Sequence, residues 1–299
     1  MEYVQTFVSP QLRNPAMIVA FAGWNDASEV ATASARFLVD QWGARKMAEI
    51  DPEEFYVFTE TRPHVRIAGR TQRRIDWPAN EFFYHVGEEG ARDFVVLIGV
   101  EPQLRWRTFV DGVTRFCKRH GITTVVTLGG LIADVPHTAP VRLSGTGSTS
   151  WLAQRLRQLG VEATRYEGPT GILGVLGSAL ARRRLAVASL WGNVPEYLSA
   201  SPNPKVVLAM LQRLSALLDF EVDLSELKAL GAEFDRQVAA ILAENPELRA
   251  YVQELEEQQR PPARARPRPQ PEPLPSGEEL IRELEEYLRR RRSQGGGDS

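Results

Sequence analysis

The sequence has a single cysteine, Cys117, among its 299 residues. One thiol excludes an intramolecular disulfide and any thiolate metal cluster. Histidine is scarce too: His64, His85, His120 and His137 show neither H-E-x-x-H nor H-x-H spacing, so no metal site is expected. No stretch reaches the roughly 20 uninterrupted apolar residues of a membrane span. The segment Met1 to Arg13 mixes Glu2, Gln5 and Arg13 with isolated apolar residues, unlike a secretory signal. A cytoplasmic protein without membrane contact is therefore expected. Net charge is also small, at −2. With no long-range field of one sign, nucleic acid is not an expected partner.

What is present is a hydrophobic fraction of 43%, enough for a sizeable core in one large domain or two small ones. From Ala16 the run Ala-Met-Ile-Val-Ala-Phe-Ala has the character of a strand covered on both faces. It breaks at Gly23-Trp24-Asn25-Asp26, where Asn25 or Asp26 can cap a helix running to about Trp42. The same grammar returns with strands at Phe94 to Val100, Ile122 to Leu128, Val161 to Tyr166 and Leu185 to Leu190. Helices at Trp106 to Arg119, Thr149 to Gln158 and Gly171 to Arg183 alternate with them. Such alternation predicts an α/β fold, a three-layer α/β/α arrangement with helices on both faces of the sheet. Short mixed segments at Phe55 to Thr59, Val65 to Ala68 and Gln72 to Asp76 predict antiparallel or edge strands, hence a mixed sheet.

After Pro204 the apolar residues recur at helical spacing, through Val207 to Leu218, Leu224 to Leu242 and Leu248 to Leu255, broken at Asn245-Pro246. The expected organisation is a core domain at 1–219 and a helical hairpin packed on it at 220–259. A proline-rich linker follows at 260–277, and then a short amphipathic helix with a basic, glycine-rich tail at 278–299. The run Arg289 to Arg292 beside glutamates is read as a solvated terminus.

Four loops invite a functional reading. Trp24, Asn25 and Asp26, with Glu29 nearby, follow a core strand, where open α/β sheets bind ligands. There Asp26 can serve as a base or bind a hydroxyl and Trp24 can stack on a ring; the plainer reading is that Asn25 or Asp26 caps a helix and Trp24 closes the core. Glu167, Gly168, Thr170 and Gly171 lead into a helix whose free N–H groups can hold an anion such as phosphate, or simply allow helix and sheet to approach closely. The segment is neither a Walker loop nor a dinucleotide fingerprint, and no cofactor is expected. Just beyond another core strand, Glu101 can pair with Arg105 or Arg107, and either arginine can instead meet a ligand carboxylate or phosphate; an ion-pair network at a subunit contact is an equal reading. Asp134, His137 and Ser144 stand close in sequence, but G-x-S-x-G fails because Arg142 takes the first glycine position, so no catalytic residues are assigned.

Four segments resemble a known family together: Met17 to Ala27, Gly99 to Trp106, Tyr166 to Ile172 and Leu190 to Tyr197. They are similar, in this order, to the signatures of the proteasome assembly chaperone 2 family in its actinobacterial branch, over roughly Met1 to Tyr251. The resemblance implies a three-layer fold with a mixed central sheet, like that of purine nucleoside phosphorylases and related hydrolases. It also implies assistance to proteasome assembly, which some relatives give through a C-terminal hydrophobic-tyrosine-any-residue tail; Gly297-Asp298-Ser299 departs from that pattern. Two functions are thus expected to compete. One is a non-catalytic, assembly-chaperone-like binding protein, a homo-oligomer with a proteasome-related partner. The other is a small-molecule or phosphate-binding protein or hydrolase-like enzyme using the loops after the core strands.

Overall fold

A computed structural model describes residues 3–69, 72–199 and 202–259. The linker, the final amphipathic helix and the arginine run lie outside the described residues.

A single sheet takes nine strands: β1 (Val4–Thr6), β2 (Ala16–Ala22), β3 (Arg45–Ile50), β6 (Asn80–His85), β7 (Phe94–Val100), β8 (Thr124–Ala133), β9 (Leu143–Gly147), β10 (Glu162–Ala163) and β11 (Ala186–Pro195). Their order is β1-β3-β6-β7-β2-β8-β11-β9-β10, and among the described residues β4 (His64–Ala68) pairs only with β5 (Gln72–Asp76), in a separate hairpin. The four central strands, β7, β2, β8 and β11, run parallel. Antiparallel strands join on both sides, β6 against β7 and β9 against β11. The sheet is mixed, as the sequence implies, but for a different reason. The antiparallel strands beside β7 are β6 and β3, whose half-exposed RKMAEI and NEFFYH segments hide an alternation among charged residues and aromatics. Phe55 to Thr59 is no strand: Phe55 and Tyr56 are buried in a turn, with Phe55 O accepting from Gln103 N and Leu104 N.

Helices α1 (Val30–Gln41), α3 (Ser150–Gln158) and α5 (Pro204–Leu218) cover one face; α2 (Trp106–Arg119) and α4 (Ile172–Arg182) cover the other. Strand β2 shows why its sequence is apolar throughout. Ala16, Ile18 and Ala20 enter the first core, while Met17, Val19 and Phe21 enter the second. Full burial of the larger of these side chains, Met17, Ile18, Val19 and Phe21, contributes about 1.5–3 kcal/mol each. Two further helices follow, α6 (Ser225–Glu244), which packs on α5, and α7 (Pro246–Gln259). Arg249 of α7 donates to Leu242 O and Ala243 O at the end of α6, satisfying carbonyls that the proline break leaves open.

Strand β8 passes through Gly129 and Gly130, where the sequence suggested an end. A Cβ on Gly129 would stand 2.3 Å from the Trp191 indole, and one on Gly130 would stand 2.7 Å from Ala27 O. These glycines serve close approach, so pairing continues to Ala133↔Pro195. Likewise the segment read as a loop, Asp134 to Gly147, contains β9.

His85 stacks on Trp42, His120 packs against Phe116, and burial lowers the pKa of both rings from 6.5. The unfolded chain therefore binds more protons just below pH 6.5, and stability must rise with pH through that window. Calorimetry at a series of pH values is expected to show the melting temperature climbing from about pH 5 to pH 7, with a shallower slope in His120→Leu.

Candidate functional site

The site arises where two parallel strands part. Pairing of β2 with β8 stops at Val19↔Thr127, whereas β2 follows β7 to Ala22↔Val100 and β8 follows β11 to Ala133↔Pro195. The chain after β2 swings outward at Gly23, with φ +125, and returns at an Asp26↔Gly130 bridge in which Gly130 N donates to Asn25 O at 2.9 Å. Beside this splay lies a cavity of about 950 Å³, walled by the loop after β2, the ends of β8 and β9, the segment before α4, and one side of α4.

The loops chosen from sequence meet here unequally. Trp24, Asn25, Thr170 and Gly171 line the cavity. Glu101 stands directly behind it: one carboxylate oxygen, Oε1, accepts from Asn25 Nδ2 at 2.7 Å and from the Ile172 backbone N–H at 2.8 Å. Ile172 opens α4, so the carboxylate occupies the position at which a helix N-terminus would hold an anion. Gly171 makes this possible. A Cβ there would lie 2.3 Å from Asn25 Nδ2 and 2.6 Å from Glu101 Oε1.

Asp26 is spent on a helix start. Its Oδ1 accepts from Ala31 N at 2.7 Å and its Oδ2 from Thr32 Oγ1 at 2.5 Å, which anchors α1 beyond two left-handed residues, Ser28 and Glu29. Burial pushes the Asp26 carboxyl above its ordinary value, and the hydrogen bonds from Thr32 and Ala31 oppose that rise. Arg105 turns elsewhere, bridging Glu54 and donating to Tyr3 OH at 3.1 Å. Glu167 and Gly168 are exposed and outside the cavity wall. His137 meets Tyr197 OH at 2.7 Å through Nδ1, while Ser144 lines the cavity on β9.

Several lining residues carry no local sequence signal of a site. Trp191 on β11 lies over Gly129, and Leu131 and Ile132 extend β8 past the splay. Only the pairing of a glycine with a tryptophan across two strands marks them, and that requires the register. Tyr166 closes the rim, its OH donating to Pro169 O at 3.0 Å. Among the described residues, the lining contains no Asp, Glu, His, Lys, Arg or Cys; its polar side chains are hydroxyls, indoles and the Asn25 amide. Among the described residues, no group of three or more His, Cys, Asp or Glu is placed to hold a metal ion, and no helix is long and apolar enough to cross a membrane.

A mixed sheet between two helical layers, with an uncharged cavity at a strand splay, defines an α/β domain of three layers. The profile of the PAC2 family matches residues 20–242, and the chain belongs to that family. A proteasome-assembly chaperone homologue of Mycobacterium tuberculosis is 39% identical, with a TM-score of 0.72, covering 79% of this chain and 99% of its own. A PAC2 family protein from Streptomyces avermitilis is 40% identical, with a TM-score of 0.73, covering 80% and 99%. At 19% identity and a TM-score of 0.64, PbaB of Pyrococcus furiosus, an archaeal proteasome activator, shares the fold over 81% of this chain and 99% of its own. No curated protein matches the sequence.

Replacing Gly171 by Ala should force Asn25 and Glu101 apart and cost about 1–3 kcal/mol. Glu101→Gln should cost about 1 kcal/mol through the lost charge at the α4 N-terminus. Urea unfolding measures both; a Gly171→Ala protein as stable as wild type would contradict this geometry.

Proposed function

We propose that this chain is a non-catalytic, assembly-chaperone-like protein that self-associates and binds a proteasome-related protein. The observation that carries this reading is the character of the cavity surface. Its rim exposes Trp24, Leu131, Ile132 and Tyr166, at 64%, 43%, 52% and 66%, while its wall offers no acid, base or thiol. Clustered exposed aromatic and aliphatic side chains are what protein interfaces use as anchors. Acyl or phosphoryl transfer would need a positioned nucleophile and base, or a cationic clamp, at that wall. The names of the relatives agree: an assembly-chaperone homologue in M. tuberculosis and, in P. furiosus, PbaA, an archaeal homologue of proteasome-assembly chaperone.

The cavity itself favours a second reading, a site for a small neutral molecule. Its position beyond the carboxyl ends of parallel strands is where phosphorylase-like and hydrolase-like folds place their ligands. Phosphate loses ground within that reading, because Glu101 already brings negative charge to the α4 N-terminus and no cation lines the wall.

Capture of proteasome subunits from the same cell by the full-length chain separates the two. Enrichment is expected, and Trp24→Ala with Tyr166→Ala should reduce it at least tenfold, the scale of an interface hot spot at about 2 kcal/mol. Folded wild-type protein that captures no proteasome subunit would overturn the first reading.

A further inference from the structure

The β4–β5 hairpin stands apart from everything described so far. Its strands pair only with each other, every described residue of it except Asp76 is exposed, and at about 3.4 Å per residue it extends roughly 17 Å. An isolated two-stranded hairpin is marginal in water, so an arm of this kind gains stability by docking. The register divides it into two faces. Val65 opposes Ile75 and Ile67 opposes Arg73, giving one largely apolar face with Val65, Ile67 and Ile75 exposed at 60%, 77% and 52%. Arg66 opposes Arg74 on the other face, and both reach the single carboxylate of Asp76. Residues 62–76 contain five arginines to one aspartate.

A surface of the opposite kind lies on α6. This 20-residue helix buries only Leu227, Gly231 and Val238. Beside that seam, Leu230 and Ile241 are exposed, with the half-buried Phe234 between them at helical spacing. Glu226, Glu233 and Glu244 recur along the adjoining row, Glu233 being held by Arg236. Acidic residues outnumber basic ones eight to three over residues 225–259. The small net charge of the chain thus conceals a basic, apolar arm and an acidic, apolar helix.

We propose that the β4–β5 hairpin is an assembly arm that docks on the α6 face of a second copy of this chain. Val65, Ile67 and Ile75 meet Leu230, Phe234 and Ile241 there, and Arg73, which shares their face of the hairpin, meets the glutamate row. The arm and its receiving face are different surfaces, so copies can exchange arms about a two-fold axis or link head-to-tail into a ring. Charge complementarity favours a second copy, because both halves are carried by the same chain. The inference rests on the self-association proposed above.

Sedimentation velocity of the full chain tests it with two charge-reversed variants. Arg73→Glu alters the arm; Glu226→Lys with Glu244→Lys alters the face. Each alone should weaken assembly at least tenfold, and mixing the two should restore it, since the reversed arm of one meets the reversed face of the other. Ile67→Asp, far from any core residue, should weaken assembly without the possibility of rescue by mixing. A wild-type oligomer unaffected by all these changes would overturn the interface alone, whereas a monomeric wild type would overturn self-association itself. An arm variant that keeps the oligomer but loses proteasome capture would assign the hairpin to the partner protein and overturn the proposal.

Discussion

The Glu101 carboxylate ties together the loop after β2, the end of β7 and the start of α4. It leaves β7, holds the Asn25 amide after β2, and receives the first N–H of α4. Hydrogen bonds to a charged group contribute about 1.5–3 kcal/mol, and the helix end adds about 0.3–1 kcal/mol of favourable field. Gly171 is the sequence's response to this crowding, since any side chain there would displace the amide or the carboxylate. The splay between β2 and β8 is held at a fixed width by that contact and by the Asp26 anchor of α1. The cavity follows from the splay.

This arrangement also sets what the cavity can do. The position best suited to bind an external anion is filled by the protein's own carboxylate, and the remaining wall is hydroxyl, amide and aromatic. Titratable groups near it are structural: Asp26 anchors α1, Arg105 bridges Glu54, and His137 faces Tyr197. Around it runs a rim of exposed aromatic and aliphatic side chains, the surface on which the proposed role rests. The chain belongs to the PAC2 family, and the 39% identical M. tuberculosis protein is described as a proteasome-assembly chaperone homologue.

Much of the layered fold was legible because buried parallel strands read as short apolar runs. The span Phe94 to Val100 and the helix Trp106 to Arg119 have the boundaries that periodicity alone indicates. The edge of the sheet was not legible. Strand β3 alternates charged with buried residues, and β6 crowds aromatics that serve a helix and a strand equally well. The glycines of β8 read as a stop because punctuation and close approach use the same residue, and only the Trp191 register distinguishes them. For the site, Asn25, Glu101 and Gly171 could be picked from their loops, but a carboxylate closing a helix end 71 residues away is a tertiary contact with no local trace. Arg105 shows the converse, a residue of suitable chemistry and position that turns to a different neighbour.

The central claim is that Asn25, Glu101 and the start of α4 form one coupled unit. A double-mutant cycle with Asn25→Ala and Glu101→Ala, read by urea unfolding at neutral pH, tests this directly. A coupling energy of about 1–3 kcal/mol is expected, within the range for residues sharing one hydrogen-bond network. Additive effects, with coupling indistinguishable from zero, would contradict it.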